Sequence, residues 1–380
     1  MSQPSSPRSV RSPAAPRYRP LVFGVTRVVV DDRNDGSLVV RADQPLGDYP
    51  ARFGDRLLDA ARAFPQRVFI ARRRALADGS SGDWETVTYG EALARARSIA
   101  QSLIDRGLDA ERPLAILSEN GIEHALLGLG CLLAGIPWCP VSPAYSLLSR
   151  DFGKLRHVMS TLTPGLVFAA DAARYRAAID AAVPPDVELV TGERDVGEFP
   201  GRRTTSFEAL VDATPGHAVD AAFEATGPDT IAKFLFTSGS TREPKAVINT
   251  HRIWCANQQQ MLQSMPVLGE TPPVLVDWLP WNHTFGGNHN VGLVLYNGGT
   301  LYIDDGRPTP AGIGATLRNL REIAPTVYFN VPLGFEEATL HCGARCCRAC
   351  GCSSMPALRS DNRCGTRCTR RRNAKSASAS

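Results

Sequence analysis

The 380 residues are 43% hydrophobic and 21% charged, the balance of a soluble globular protein long enough for a large core and more than one domain. The formal net charge of +4 is unevenly spread: residues 336–380 carry nine Lys/Arg against three Asp/Glu, leaving 33 basic against 35 acidic residues in the body. That body is therefore not expected to bind nucleic acid. Seven of the ten cysteines also lie in 336–380, and only Cys131, Cys139 and Cys255 precede it, a usage that suits a reducing compartment.

The first twenty residues, MSQPSSPRSVRSPAAPRYRP, have no apolar segment typical of a secretion signal and read as a flexible Ser/Pro/Arg arm. A cytoplasmic location is expected. Residues 88–107, TYGEALARARSIAQSLIDRG, predict a helix. Thr88 and Glu91 fit a capping box, Leu93, Ala96, Ala100, Leu103 and Ile104 share one face, and Gly107 suits the stop. LAILS (114–118) reads as a strand. The long uncharged stretch 125–149 is broken by Pro137, Pro140 and Pro143 before it could span a bilayer, so it predicts a buried helix followed by a strand and loop. Further strands are expected at LVFA (166–169), VELV (187–190), KFLF (233–236), VLVDW (274–278), TLYI (300–303) and TVYFN (326–330), with helical or loop segments such as DAARYRAAIDAA between them. This alternation predicts an α/β fold with mostly parallel sheets, whose ligands gather beyond the carboxyl ends of strands.

One segment at such a position is FTSGSTREPKAVINTH (236–251). Thr237, Ser238, Ser240 and Thr241 offer hydroxyl and amide donors, Gly239 allows close backbone approach, and Lys245 adds a positive charge, the equipment for a nucleotide triphosphate. A Ser/Thr-rich surface turn has the same composition, and the G-x-x-x-x-G-K-[ST] spacing is absent. The second polar cluster is WLPWNHTFGGNHN (278–290). Its rings and amides suit a pocket for a planar organic acid. Alternatively, Trp278 and Trp281 are core residues, while His283 and His289 lack the nearby carboxylate a metal site would need.

With these residues in view, the chain resembles the adenylate-forming acyl-CoA synthetases, also called AMP-dependent synthetases and ligases. Thr237–Lys245 match the signature T-S-G-S-T-G-x-P-K at all but one fixed position. KFLFTSGST, PKAVINTHR, CANQQ, LPWNHTFGGNHN and LYNGGTLYIDDGRPTP, with GIEHALL, AGIPWCPVSPAYSLLSRDFGKLRH and LTPGLVFA upstream, are similar to the feruloyl-CoA synthase group over roughly residues 17–335. The resemblance implies the large N-terminal domain of that family and activation of a small aromatic carboxylic acid such as ferulate, with ATP, Mg2+ and coenzyme A. It implies that Thr237, Ser238, Gly239, Ser240, Thr241 and Lys245 hold the phosphates, and that Trp281, Asn282, His283, Phe285 and Gly286 neighbour the acid. It identifies no catalytic residue, resident metal or nucleic-acid or membrane partner, and leaves the oligomeric state open.

Two departures stand out. Arg242 replaces the family's Gly, at a cost of about 1 kcal/mol if the position needs a positive φ. After NVPLGFE the text turns into EATLHCGARCCRACGCSSMPALRSDNRCGTRCTRRRNAKSASAS, with no aromatic residue and no apolar run of strand length. The reading is a partial adenylate-forming domain over 21–335 and a disordered Cys/Arg-rich tail over 336–380, without the small C-terminal domain and with impaired turnover. A rival reading takes Cys347-x2-Cys350 and Cys364-x3-Cys368, with His341, Cys342, Cys346 and Cys352 as spare ligands, for a zinc-stabilised nucleic-acid-binding appendage. A frame change near Glu336 or Glu337 is the expected source of the abrupt shift of composition. Translating all three frames of the coding DNA from the Asn330 codon is therefore expected to reveal the family's later nucleotide and lysine motifs in another frame; three frames without them would reject it.

Overall fold

The computed structural model describes residues 22–76, 78–192, 199–237 and 243–342. A hairpin of β1 (Val28–Asp32) and β2 (Leu38–Ala42) comes first, then α1 (Gly54–Ala63), a second hairpin of β3 (Val68–Ala75) and β4 (Ser81–Thr88), and α2 (Tyr89–Asp105). β5 (Leu114–Leu117), α3 (Ile122–Ala134), β6 (Trp138–Pro140), α4 (Pro143–Leu147), α5 (Gly153–Leu162), β7 (Leu166–Ala169), α6 (Ala172–Ala182) and β8 (Glu188–Thr191) follow. Next are β9 (Thr204–Ser206), α7 (Phe207–Val211), α8 (His217–Ala225), β10 (Ile231–Thr237), β11 (Lys245–Thr250), α9 (His251–Ser264) and α10 (Val267–Glu270). The last are β12 (Val274–Asp277), a π-helical turn (Phe285–Asn290), α11 (Val291–Tyr296), β13 (Thr300–Ile303), α12 (Ile313–Ile323) and α13 (Pro332–Cys342).

Two larger sheets organise these elements. One runs β11-β10-β6-β5-β7-β8-β9 and is parallel except for the β10–β11 pair; the other runs β12-β13-β3-β4 and is parallel except for β3–β4. The α/β fold with mostly parallel sheets is thus the observed one. The period-2 alternation of strands assigns the layers. In the larger sheet Leu114, Ile116, Leu166, Phe168 and Val190 join the core shared with α2 and α3. Their neighbours Ala115, Leu117, Val167, Ala169 and Leu189 pack instead with residues of α5 and α6. The smaller sheet gives Ile70, Leu275 and Leu301 to the same central core, while Val276 and Tyr302 meet α12.

α3 lies in the middle of this arrangement and shows why its sequence lacks a polar face. Every residue from Ile122 to Ala134 except Glu123 is buried, so a helix apolar on all sides is what the site demands. Glu123 receives both Arg72 guanidinium nitrogens, at 2.7 and 2.9 Å. α2 starts with the expected capping box, Thr88 and Glu91 each satisfying the other's backbone, and Gly107 adopts φ 66° just beyond its end.

Three expectations need correction. TVYFN is not a strand: it reaches β12 through the Thr326 and Val327 amides, both at the Val274 carbonyl, and through the Thr326 hydroxyl, which accepts from the Val274 amide at 2.8 Å. Beyond them Tyr328 turns inward to pack with Val276 and Leu320, which ends the ladder. The loop expected after β6 contains the short helix α4, begun by Pro143 in its first turn. A boundary at residue 336 falls inside α13, which continues to Cys342. The arm over 1–20, the rest of the tail and its paired cysteines lie outside the described residues.

Close approach of α2 and α3 depends on Gly130. A Cβ there would stand 2.5 Å from Ile99 Cγ2 and 3.3 Å from the Ala96 carbonyl oxygen, and both neighbours are backbone or core groups. Gly130→Ala is expected to lower stability by about 1–3 kcal/mol, read as a lower denaturant midpoint at unchanged slope; a variant as stable as the parent would show that the two helices can separate freely.

Candidate active site

β10 and β11 present the Ser/Thr-rich loop. Their antiparallel register pairs Thr237 with Lys245, so the segment between them leaves and re-enters the sheet at one point. Thr237 and Lys245 are both exposed at that end. Ser238, Gly239, Ser240, Thr241 and Arg242 lie outside the described residues. The returning side of the loop is tied to α5, where His157 Nε2–H donates to the Pro244 carbonyl at 2.9 Å and the Glu243 carboxylate stands 3.5 Å from Nδ1.

The second cluster begins where β12 ends. Asn120, from the loop after β5, donates to the Leu279 carbonyl at 2.9 Å and accepts from the Trp281 amide at 3.1 Å, bracketing the chain with both ends of one side-chain amide. The chain then folds back so tightly that a Cβ on Gly286 would lie 2.4 Å from the Pro280 carbonyl oxygen, and one on Gly287 would lie 2.2 Å from that of Trp281. The Gly-Gly pair is a packing requirement. It lets the chain enter a π-helical turn, a rare conformation concentrated at functional sites.

The predicted acid-binding residues separate on this turn. His283 is exposed, Asn282 and Phe285 are half-buried, and Gly286 is buried. The Phe285 amide donates to His283 Nδ1 at 3.3 Å. Phe285 meets His289 edge to face at 5.2 Å, and both face Phe329, at 6.4 and 4.6 Å. Trp281 is turned inward instead, edge to face with His124 at 5.0 Å. Its indole nitrogen is buried without a hydrogen-bond partner. Beside it is a cavity of about 40 Å³ that also touches His124, Trp138, Lys233, Trp254 and Gly287, large enough for a water molecule.

His289 and Phe329 are members of this aromatic patch that the spacing of the motif alone did not single out for acid binding. His289 stands one helical turn after Phe285, a signal present in the text; Phe329 comes from a segment expected to be a strand. His289 Nδ1 lies 2.7 Å from Asn290 Oδ1, so Nδ1–H donates and Nε2 is left as an acceptor. Burial lowers the pKa of His289 and favours the neutral ring. Among the described residues no cluster of three or more His, Cys, Asp or Glu side chains could hold a metal.

The hairpin that carries the loop meets the aromatic turn directly: Asn288 on the turn donates through Nδ2 to Asn249 Oδ1 of β11 at 2.8 Å. Against this geometry, a family profile described as AMP-binding enzyme matches residues 57–357. The chain belongs to the AMP-binding enzyme family. It is 26% identical over 263 residues to the 3-[(3aS,4S,7aS)-7a-methyl-1,5-dioxo-octahydro-1H-inden-4-yl]propanoyl:CoA ligase of Rhodococcus jostii (strain RHA1), covering 67% of this chain and 48% of that one. It is 27% identical over 213 residues to the 4-hydroxyphenylalkanoate adenylyltransferase of Mycobacterium marinum (strain ATCC BAA-535 / M), covering 54% of this chain and 30% of that one. The fold matches the crystal structure of a fatty acid AMP ligase from Legionella pneumophila with a TM-score of 0.56 at 18% identity, over 75% of this chain and 45% of that one. ATP-bound MatB from Rhodopseudomonas palustris matches with a TM-score of 0.53 at 23% identity, over 73% and 50%. The chain thus spans about half or less of the length of these curated relatives.

The floor of the turn offers a test by pH. Asp277, at the end of β12, is buried and its carboxyl is pushed up to about 7, chiefly by loss of solvent. A raised folded value means that its contribution to stability is complete below the ordinary carboxyl value of 3.8 and is lost as pH rises through about 7. Asp277→Asn keeps an acceptor for the Leu279 amide, which now donates to Asp277 Oδ1 at 3.1 Å, and removes the titration. The parent is expected to lose stability relative to this variant between pH 4 and 7, with a limiting slope of about 1.4 kcal/mol per pH unit. A pH-independent difference in urea midpoint would refute the assignment.

Proposed function

We propose that this chain carries the nucleotide- and acid-binding part of an ATP-dependent acid–thiol ligase acting on an aromatic carboxylic acid such as ferulate. The observation that carries the reading is the direct bond between Asn288 and Asn249, which holds the aromatic turn beside the strand that closes the Ser/Thr-rich loop. In the reaction a carboxylate oxygen attacks the α-phosphorus of ATP and pyrophosphate leaves, giving an acyl-adenylate; the thiol of coenzyme A then attacks the acyl carbon and AMP departs.

The loop residues Thr237, Ser238, Gly239, Ser240, Thr241 and Lys245 supply donors for the phosphates, and the Lys245 cation stabilises charge on the leaving pyrophosphate. Thr237 and Lys245, exposed at one sheet edge, fit that role. Mg2+, when bound with the nucleotide, would neutralise phosphate charge. Phe285, His289 and Phe329 form the wall against which an aryl ring packs. Asn282 and His283 border it, and Trp281 and Gly286 support it from behind. The 4-hydroxyphenylalkanoate named for one relative is an acid of the same aryl class. Partly covered residues over 21–335 form the domain in this reading, and the buried free thiols of Cys131, Cys139 and Cys255 suit the reducing cytoplasm.

A second reading is binding of nucleotide and acid without turnover. Calorimetry with ATP and with ferulate, paired with acid-dependent exchange of labelled pyrophosphate into ATP, separates the two. Both ligands are expected to bind, with Lys245→Ala weakening ATP about tenfold, or about 1.4 kcal/mol, and leaving ferulate within twofold. Exchange supports the ligase, binding without exchange supports the second reading, and absence of both interactions rejects each.

A further inference from the structure

Lys233 stands in the middle of β10 with 2% of its surface exposed. Its Nζ lies 3.6 Å over the ring of Trp254 and 5.3 Å from that of Trp138. Among the described residues no carboxylate pairs with it. Burying an amine this way is costly unless its hydrogens are used, and burial holds its pKa well below the usual lysine range. One N–H donates to the Gly287 carbonyl at 3.2 Å, inside the π-helical turn. The next carbonyl, that of Asn288, accepts two further buried donors: Trp254 Nε1–H at 2.9 Å and Gln258 Nε2–H at 2.8 Å. Gly292 lets them reach it, since a Cβ there would stand 2.5 Å from Trp254 Nε1 and 2.6 Å from Gln258 Nε2.

We propose that Lys233, assisted by Trp254 and Gln258, is a positioning residue that holds the π register of the 285–290 turn and thereby the placement of Phe285 and His289 against Phe329. A π turn needs its carbonyls drawn out of α-helical register, and side chains inserted into the ladder are a recognised cause of such distortions. Here two consecutive carbonyls are each taken by a donor from outside the turn. A slip of one residue to α register would rotate the following side chains by about 100°, carrying His289 off the aromatic patch. The proposal rests on the reading of that patch as the acid site.

The test compares Lys233→Met, Lys233→Arg and Trp254→Phe in the full chain by amide hydrogen exchange, thermal melting, and calorimetry with ferulate and with ATP. Lys233→Met is expected to speed exchange in peptides covering 283–296 about tenfold, leave other peptides and the melting temperature close to the parent, and weaken ferulate about tenfold with ATP within twofold. Lys233→Arg keeps an N–H donor but as a permanent cation with no carboxylate beside it, and is expected to hold exchange at 283–296 nearer to the parent than Lys233→Met does, at a lower melting temperature. Trp254→Phe keeps the ring under Nζ but removes one donor, and gives a smaller effect on the same peptides even if Lys233→Met does not fold. Parent-like exchange at 283–296 in both Lys233→Met and Trp254→Phe overturns the proposal, as does acceleration spread over the whole chain with a lower melting temperature. A parent that binds no ferulate, while Lys233→Met loosens only this turn, leaves the clamp standing and rejects the acid-site reading.

Discussion

The carbonyl oxygens of Gly287 and Asn288 are the point on which the arrangement of the site depends. Both lie in a turn too tight to admit side chains at 286 and 287, and both accept from donors outside the turn. A buried carbonyl left without a donor would cost about 1–3 kcal/mol, so the lysine in an otherwise apolar strand, the tryptophan and the glutamine answer a need created by the turn. The donors come from β10 and α9, and Asn249 of β11 adds a fourth bond to the same segment. The loop-bearing hairpin and the helix that follows it are therefore what the aromatic turn rests on.

The layering explains why that contact is possible. α3, buried on all sides, separates the two larger sheets, and its glycines thin it where neighbours must come close: Gly130 against Ile99, and Gly128 with its Cβ position 3.3 Å from the Trp138 ring. Trp138 in turn packs near Trp254, 6.2 Å between ring centres, and Trp254 stacks on Phe53 at 3.8 Å. Aromatic residues from β6, α9 and the start of α1 thus fill the space under the turn, leaving only a water-sized gap beside Lys233.

How much of this was legible in the sequence follows from what kind of signal each feature leaves. Local chemistry read well: Thr88 and Glu91 make their capping box, and LVFA and TLYI are strands at the stated residues. The hairpin of β3 and β4 escaped because its strands carry Arg72, Arg73, Arg74 and Glu85 among the apolar residues, and their pairing is decided by contacts with β13 and α12 rather than by a pattern in the text. TVYFN has strand composition, but its third residue is needed in the core under α12. The aromatic turn was visible as a cluster, yet which rings face outward was not. Trp281 and Phe285 are four residues apart in one motif, and the chain reversal enforced by Gly286 and Gly287 sends one inward and leaves the other at the surface. Lys233 was visible only as an odd charge in KFLF.

A shared electrical character runs through four of the buried titratable groups. His124 and His251 are held down to about 4 by burial, with His251 Nδ1 accepting from the Phe53 amide at 3.0 Å and so requiring an unprotonated nitrogen. Asp277 is raised by the same loss of solvent, and Lys233 is lowered by it. Acids and bases alike are pressed toward their neutral forms, which is how a low-dielectric interior accommodates them. The floor beneath the aromatic turn consequently contributes hydrogen bonds with little net charge, while the cation of the described site, Lys245, is exposed at the loop end. A ring and a polyphosphate need this division: apolar walls with fixed dipoles for one, and a solvent-facing charge with free donors for the other.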